Sequence, residues 1–233
     1  TPLYSSAASD VYKRQGYFDR SVVPVLDSNG FSILQHDDFI KPQSSMEGLG
    51  ALRASFDQMG SMGFDAMMIK KYNTLDRIDH VHTPGNSSGI VDGASAVLIG
   101  SERAGKDLGL TARGRIVAGA ILASDPIIML TAPGPSAVKC LQTAGLTEND
   151  IDLWEINEAF AAVAMRYMRD LDIDHSVTNV NGGSIAMGHP LGATGAMLLS
   201  SMLDELERRE LRRGMLSLCV GGGMGISCII ERA

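Results

Sequence analysis

The chain has 233 residues, 45% of them hydrophobic and 20% charged, enough for one large domain or two small ones with a buried core. A net charge of -7 argues against a nucleic-acid partner, which would require a basic face. No apolar run reaches the ~18 residues that span a membrane, no secretory signal pattern is present, and three scattered cysteines do not form a disulfide framework. These features predict a cytoplasmic protein with no nucleic-acid or membrane partner.

Residues 1–15 read TPLYSSAASDVYKRQ and contain neither an initiator methionine nor an amphipathic period. They look like translated adapter sequence, so we predict a non-native segment here and leave it out of the fold prediction. On that interpretation the natural chain begins upstream, and the present sequence is a fragment.

The elements predicted up to residue 110 are short. A strand, an Asn-Gly turn and a second strand come first, followed by a small amphipathic helix, a charged irregular stretch, a stretch rich in small residues and a further helix. In order, these predictions are 22–26, Asn29-Gly30, 31–34, the Leu49/Leu52/Phe56 repeat, 65–81, a helix or strand around Ala94 and Ala96, and a helix through Arg103.

Beyond an Arg-Gly-Arg boundary near residues 111–115, longer apolar strands alternate with helices, which is typical of an α/β fold. The predicted elements are strand 116–122, helix 136–144 closed by Gly145, strand 153–156, helix 158–168, helix 193–209 and strands 216–220 and 226–230.

Three loop motifs stand at the ends of these elements. Asn-Glu-Ala-Phe-Ala at 157–161 directly follows a predicted strand. The glycine-rich run NGGSIAMGHPLGATG at 181–195 leads into a predicted helix, and CVGGGMG at 219–225 joins the last two strands. Functional side chains are commonly carried on loops that a rigid scaffold positions.

The residue types in these loops indicate acyl chemistry. His189, fixed between Gly188 and Pro190, can exchange protons near neutral pH. Cys219 precedes glycines whose backbone N–H groups can approach a ligand closely, as an oxyanion hole requires. Asn157 supplies a neutral donor at the end of a strand. Taken singly, each residue has a structural explanation, namely a turn histidine, a buried cysteine and tight-turn glycines.

Two other patterns in the sequence are typical of binding sites. The glycines at 182–192 lack the spacing of a dinucleotide-binding loop and its following acidic residue, which excludes that reading. His80 and His82 could share one face of a strand, but no third ligand with suitable spacing is near. We therefore predict no metal site and a surface role for both histidines.

It is at the three loop motifs that the chain resembles the thiolase family, in order and in spacing. The resemblance extends upstream through NSSGIVDG at 86–93 and covers essentially everything from Gly16 onward. It implies an α/β thiolase fold, a layered α-β-α-β-α arrangement with mixed five-stranded sheets, of which only the C-terminal half is complete. Residues 16–83 would be the end of the loop domain, 84–112 the last elements of the N-terminal half, and 113–233 the C-terminal domain.

The resemblance also implies roles for single residues. His189 would activate a nucleophilic cysteine and bind the thioester oxygen. Cys219 would be the acid/base that removes and returns the α-proton of the acyl group. Asn157 would hold a water of the first oxyanion hole, and the backbone N–H of Gly221 would join the second.

Coenzyme A and acyl-CoA are the partners that the resemblance implies. The expected contacts to the pantetheine arm are Ser88, Phe56, Ala159 and Phe160, with Met129 lining the acyl pocket. Core packing is the competing explanation for Phe56, Phe160 and Met129. No cofactor is expected beyond the coenzyme A thioester that serves as substrate, and the full-length protein is expected to be a homodimer or homotetramer.

One feature departs from the family pattern. Thiolases carry their nucleophilic cysteine at a helix N-terminus in the first half of the chain, whereas Cys140, the remaining candidate, lies inside a predicted helix after Lys139. We therefore predict an acetyl-CoA acetyltransferase or 3-ketoacyl-CoA thiolase fragment that lacks the nucleophile. The alternative is a non-catalytic thiolase-like module that binds acyl-CoA or a partner protein.

Overall fold

The computed structural model describes Ser9 and residues 16–233. Apart from Ser9, the predicted non-native segment 1–15 lies outside the described residues. Among the residues described, no helix combines the length and the apolar character that crossing a membrane requires.

Short elements make up the part of the chain before residue 110. A two-stranded antiparallel hairpin pairs Val25 with Leu34, as the Asn-Gly turn predicts. The elements are β1 (Val25–Leu26), β2 (Ser32–Leu34), α1 (Met46–Gly50), α2 (Asp57–Met59), a π-helical turn (Gly60–Phe64), α3 (Asp65–Lys71) and α4 (Glu102–Asp107).

A mixed sheet and four helices dominate the rest. The elements are β3 (Gly114–Ala123), α5 (Pro133–Ala144), a 3₁₀ turn (Glu148–Asp150), β4 (Leu153–Ile156), α6 (Ala161–Leu171), a 3₁₀ turn (His175–Val177), α7 (Ser184–Met187), α8 (Leu191–Arg208), β5 (Arg213–Val220) and β6 (Met224–Arg232). Helix α5 begins with Pro133 at its first position and ends at Gly145, whose φ of 67° gives the predicted left-handed cap.

The sheet has the order β3-β6-β5-β4. Strand β6 pairs antiparallel with both β3 and β5, whereas β4 pairs parallel with β5. Within the described residues the sheet has four strands, one fewer than the five expected. A further chain segment runs beside β4 but forms only a single parallel bridge, between Trp154 and Thr178, because the 3₁₀ turn before it leaves too little extended chain for a strand.

Two apolar clusters cover the two faces of the sheet. Trp154 and Ile156 point to one face and pack with residues of α5 and α6. Leu153 points to the other face and packs with Leu198 and Met202 of α8. The alternation is the one that period-two geometry gives to a strand covered on both sides, and it fixes the position of β4 in the sheet.

Several predicted elements differ from the observed ones. Leu52 and Phe56 lie outside α1, which ends at Gly50, because Gly48 and Gly50 weaken the helix. Residues 65–81 are not irregular throughout, since α3 forms with Asp65 in its first turn and two lysines in its last, which complements the helix dipole.

The stretch rich in small residues, 89–100, forms neither a helix nor a strand. A lone strand is unstable without a partner, and the segment contacts the loop of His189 and the first turn of α8 instead. Gly89 O accepts a hydrogen bond from His189 N at 2.9 Å, and the Ser95 hydroxyl donates to Ala193 O at 2.6 Å.

Candidate active site

Asn157 follows β4 at the edge of the sheet where β5 also ends. Its backbone N–H donates to Ser217 O of β5 at 2.9 Å, which continues the parallel ladder by one residue. Because parallel neighbours lie about 4.8 Å apart and run in the same direction, Asn157 and Cys219 emerge at one edge. We call this edge, residues 157–160 and 219–223, the carboxyl edge.

The side chain of Asn157 is fully buried and is held from both sides. Its Oδ1 accepts a hydrogen bond from the Ser184 hydroxyl at 2.5 Å, and its Nδ2 lies 3.3 Å from His189 Nε2. His189 Nδ1 in turn lies 2.7 Å from the Thr194 hydroxyl. Ser184, Asn157, His189 and Thr194 therefore form one continuous polar chain.

The contacts of this chain fix the tautomer of His189. Because the Asn157 amide can only donate through Nδ2, Nε2 of the imidazole is the acceptor. The proton of the ring is therefore on Nδ1, which donates a hydrogen bond to the Thr194 hydroxyl. Burial lowers the pKa of His189 below its ordinary value of 6.5. At neutral pH the ring is uncharged, and the lone pair of Nε2 accepts the hydrogen bond from Asn157.

Cys219 lies next to the turn that joins β5 and β6. Its backbone pairs with Gly225, and its half-buried side chain packs against the cluster that contains Trp154 and Ile156. Burial raises the pKa of the thiol above its ordinary value of 9.0. The resting Cys219 is a protonated thiol.

The glycine turn after Cys219 needs its glycines. Gly222 and Gly223 both have φ near 82°, and a Cβ on Gly223 would come within 2.7 Å of the Asp125 carbonyl oxygen. Gly221 is exposed at the start of the turn.

Four of the five predicted coenzyme A contacts lie together. Ser88 N donates to Ala159 O at 3.0 Å, and the neighbouring Ser87 forms an antiparallel bridge with Phe160. The ring of Phe56 lies 6.0 Å from that of Phe160 in an edge-to-face arrangement. Segment 86–89 thus connects the Asn157 loop with the His189 loop.

His82 completes this aromatic group. Its ring lies 4.8 Å from Phe160 and 6.0 Å from Phe56, and burial lowers its pKa. His80 Nε2 lies 2.9 Å from a carboxylate oxygen of Asp65, and 16% of the His80 side chain is exposed. The predicted surface role of the two histidines is therefore wrong, because both pack against neighbouring segments. No group of three or more metal-ligating side chains occurs in the part of the chain that the structure describes.

Met129, the fifth predicted contact, lies on a different loop. It follows β3 and has an unusual positive φ of 61°, and its N–H donates to Asp125 O at 3.0 Å. This loop contacts the glycine turn, since Ser124 N donates to Gly223 O at 2.7 Å. Met129 is thereby placed on the Cys219 side of the carboxyl edge.

Cys140 does not resemble a nucleophile in the structure either. It lies inside α5, is fully buried in the core, and its pKa is raised by burial. A reactive cysteine requires an electropositive, accessible position that stabilises the thiolate.

Comparison with known proteins decides the family. The sequence model of the family described as "Thiolase, C-terminal domain" matches residues 110–232, more than half of the chain. The chain belongs to the thiolase family. The carboxyl edge and the three loop motifs all lie within the matched residues.

The relatives agree in name and in fold. The chain is 38% identical over 231 residues to an acetyl-CoA acetyltransferase of Allochromatium vinosum, a match covering 98% of the chain and 54% of the relative. It superimposes with a TM-score of 0.85 on the acetyl-CoA acetyltransferase of Bacillus anthracis, at 34% identity, covering all of the chain and 54% of that structure. Human mitochondrial 3-ketoacyl-CoA thiolase in complex with CoA gives the same TM-score at 36% identity, with coverage of 100% and 53%. The chain thus spans about half the length of the thiolases it matches.

Sequence reasoning missed some of the residues that shape this candidate site. Ser184 and Thr194 both lie in the glycine-rich run 181–195 that contains His189. Their hydroxyl groups, which hydrogen-bond to Asn157 and His189, were the signal that could have identified them. Asp125 had no such signal, because its contacts come from residues 53 and 54 positions away.

Proposed function

We propose that this chain is the part of a thiolase that carries the acid/base cysteine and the oxyanion-binding loops. The enzyme interconverts 3-ketoacyl-CoA plus CoA with acyl-CoA plus acetyl-CoA. The observation that carries the proposal is the hydrogen-bonded pair of Asn157 and His189 at the same sheet edge as Cys219. The similarity to acetyl-CoA acetyltransferases and 3-ketoacyl-CoA thiolases supports it.

The chemistry assigns each residue a task. In the condensing direction the Cys219 thiol first gives its proton to the CoA thiolate that leaves when acetyl-CoA acylates the nucleophilic cysteine. The resulting Cys219 thiolate then removes a proton from the acetyl group of a second acetyl-CoA. The resulting enolate carbon attacks the acyl group on the nucleophilic cysteine of the complete enzyme, whose sulfur leaves. In thiolysis the protonated Cys219 returns the proton to carbon, and burial, which keeps the resting thiol protonated, favours that step.

Hydrogen bonds to the thioester oxygen lower the barrier because charge develops there. Asn157 is buried and held by Ser184, so it is oriented before substrate arrives. His189 Nε2 would exchange its hydrogen bond from Asn157 for the proton of the nucleophilic thiol and would then be a donor. The Gly221 N–H would serve the second oxyanion hole, facing the enolate oxygen.

The neighbouring segments provide the binding surface for coenzyme A. Ser88 and Ala159 lie on adjacent, hydrogen-bonded backbones, and Phe56 and Phe160 present an apolar wall against which a pantetheine arm can pack. Met129 would border the acyl group. A homodimer or homotetramer in the cytoplasm is proposed for the complete enzyme by analogy with the family.

Thiolysis of acetoacetyl-CoA by the complete enzyme tests this function. His189→Asn and Cys219→Ser should each lower kcat by about 10²–10⁴-fold, the usual contribution of an acid/base group. Cys228→Ser, which changes a half-buried cysteine on β6, is the matched control and should retain activity. Wild-type rates in both the His189 and the Cys219 variants would refute the proposal.

Two further measurements test the missing nucleophile of this chain and the non-catalytic alternative. The 233-residue chain alone should release no burst of acetyl-CoA from acetoacetyl-CoA, because its fully buried Cys140 cannot form an acyl-enzyme. A stoichiometric burst would show that this expectation is wrong. A complete protein that binds acyl-CoA tightly yet lacks any thiolysis would establish the binding module instead.

A further inference from the structure

Segment 65–72, which is α3 and the residue after it, is attached to the site at both ends. At one end Asp65 pairs with His80, two residues from His82 in the aromatic group around Phe160. At the other end, where α3 stops, the Lys71 ammonium and the Tyr72 hydroxyl each donate to one carboxylate oxygen of Asp125, both at 2.7 Å. The segment therefore bridges the coenzyme A side and the Cys219 side.

The Asp125 carboxylate is the meeting point of two chain segments. Besides Lys71 and Tyr72, it accepts the N–H of Ile127 at 2.9 Å, which tightens its own loop. These donors hold the pKa of the Asp125 carboxyl well below its usual range, so it stays ionised at all ordinary pH values. We call Lys71, Tyr72 and Asp125 the Asp125 clamp.

The loop that the clamp holds is in direct contact with the site. The backbone of Asp125 accepts the N–H of Met129, whose positive φ has to be maintained by its surroundings. On the other side, Ser124 N donates to Gly223 O. The Asp125 carbonyl oxygen packs so closely against Gly223 that a side chain there would collide with it. A displacement of Asp125 would therefore move both Met129 and the turn that follows Cys219.

We propose that Lys71 and Tyr72 are positioning residues that, through Asp125, set the acyl-chain specificity of the site by fixing Met129 and the turn 221–223. This inference rests on the thiolase function proposed above and adds two residues outside the three loop motifs. Neither residue touches the reacting atoms. They affect the volume and the rigidity of the part of the site that would hold the acyl chain.

Amide hydrogen exchange on the 233-residue chain tests the mechanical part. The variants are Tyr72→Phe, Lys71→Met and the pair combined, which remove the donors but keep the apolar bodies of the side chains. In the double variant, exchange of the Ser124, Ile127 and Met129 amides should accelerate by about tenfold, while amides in the centre of β5 and β6 stay unchanged. Lys106→Met, which removes an exposed lysine that pairs with Glu102, is the matched control and should change none of them.

Substrate preference of the complete enzyme tests the specificity part. The ratio of kcat/KM for acetoacetyl-CoA to that for a long-chain 3-ketoacyl-CoA should change at least about threefold in the double variant, mainly through KM. The single variant Lys71→Arg, which keeps a cationic donor, should retain most of the wild-type ratio. Lys106→Met again serves as the control.

The two proposals fail in different ways. An unchanged ratio in an active double variant would overturn the specificity role, and unchanged exchange at Ser124 would overturn the coupling to the glycine turn. If the unmodified complete enzyme shows no thiolysis at all, the proposed function fails, while the exchange measurement still decides whether the clamp positions its loop.

Discussion

The two parts of the molecule bury their apolar side chains to very different degrees. From β3 onward, strands and helices enclose two clusters in which Ile229 and Leu206 are fully buried. Before residue 110, large apolar side chains remain in contact with solvent, and Ile90 is 96% exposed. The part from β3 onward has a core of its own, whereas the part before residue 110 requires a covering surface for stability.

The site lies where the two parts meet. Asn157, His189 and Cys219 come from the sheet-based part, whereas Ser88 and Phe56 come from the exposed part. The difference teaches that the proposed acid/base residues lie on the part that has a buried core. The proposed coenzyme A contacts, in contrast, lie on segments that are joined to that part by hydrogen bonds.

The largest expected effect of this difference is self-association of the isolated chain. Exposed Ile90 and Leu98 are 96% and 82% accessible, and such surfaces favour aggregation. Gel filtration should show oligomers that decrease in the Ile90→Ser/Leu98→Ser double variant. A sharp monomeric peak with cooperative melting from the unsubstituted chain would contradict this.

Matched isoleucine substitutions test the comparison in terms of stability. Ile229→Ala, at a fully buried site, should lower the free energy of unfolding by about 2–5 kcal/mol, because it removes apolar contacts and leaves a cavity. Ile90→Ala removes the same atoms from a 96% exposed side chain and should change it by less than about 0.5 kcal/mol. Urea unfolding of both variants decides, and equal losses would break the comparison.

A smaller effect is expected at Asn157. Asn157→Ala deprives Ser184 and His189 of a buried partner and should cost about 1–3 kcal/mol. The exposed Asn149 is the matched control, and Asn149→Ala should remain within about 0.5 kcal/mol of the wild type. If Asn157→Ala were as mild as its control, the polar chain would not be formed in solution.

The smallest effect is on the pH dependence of stability. Burial lowers the pKa of His189 in the folded state, so below the ordinary value of 6.5 the unfolded chain binds a proton that the folded chain does not. The stability present above about pH 6.5 is therefore lost as the pH falls through the lowered folded pKa. His189→Gln should flatten this part of the stability profile, measured by thermal unfolding from pH 7.5 down to about 5. An unaltered profile would show that His189 is not buried as described.

Much of the sheet could be predicted because local pattern and tertiary position agree there. Strand β4 was predicted with its observed bounds, since a short apolar run ending at Asn157 fits a strand covered on both faces. Helix α5 was predicted to end at Gly145 because the left-handed cap is a local property.

What could not be predicted depends on distant contacts. Helix α6 starts at Ala161 rather than at residue 158, because Phe160 adopts an extended conformation and bridges to Ser87. The pairing of Tyr72 with Asp125 and the packing of His82 against Phe160 join residues that no local pattern relates. The resemblance supplied the candidate residues, but only the fold shows which of them share an edge.

The central claim is that the loops ending in Asn157, His189 and Cys219 converge on one thioester. Nuclear magnetic resonance titration of the His189 ring in the Cys219→Asp variant tests it most directly. Because the account places the two side chains on one thioester, a carboxylate introduced at residue 219 should raise the His189 pKa by about one pH unit or more. Cys228→Asp, with the same charge on another strand, should leave it nearer to the wild-type value. A His189 pKa that does not respond to Cys219→Asp would contradict the account.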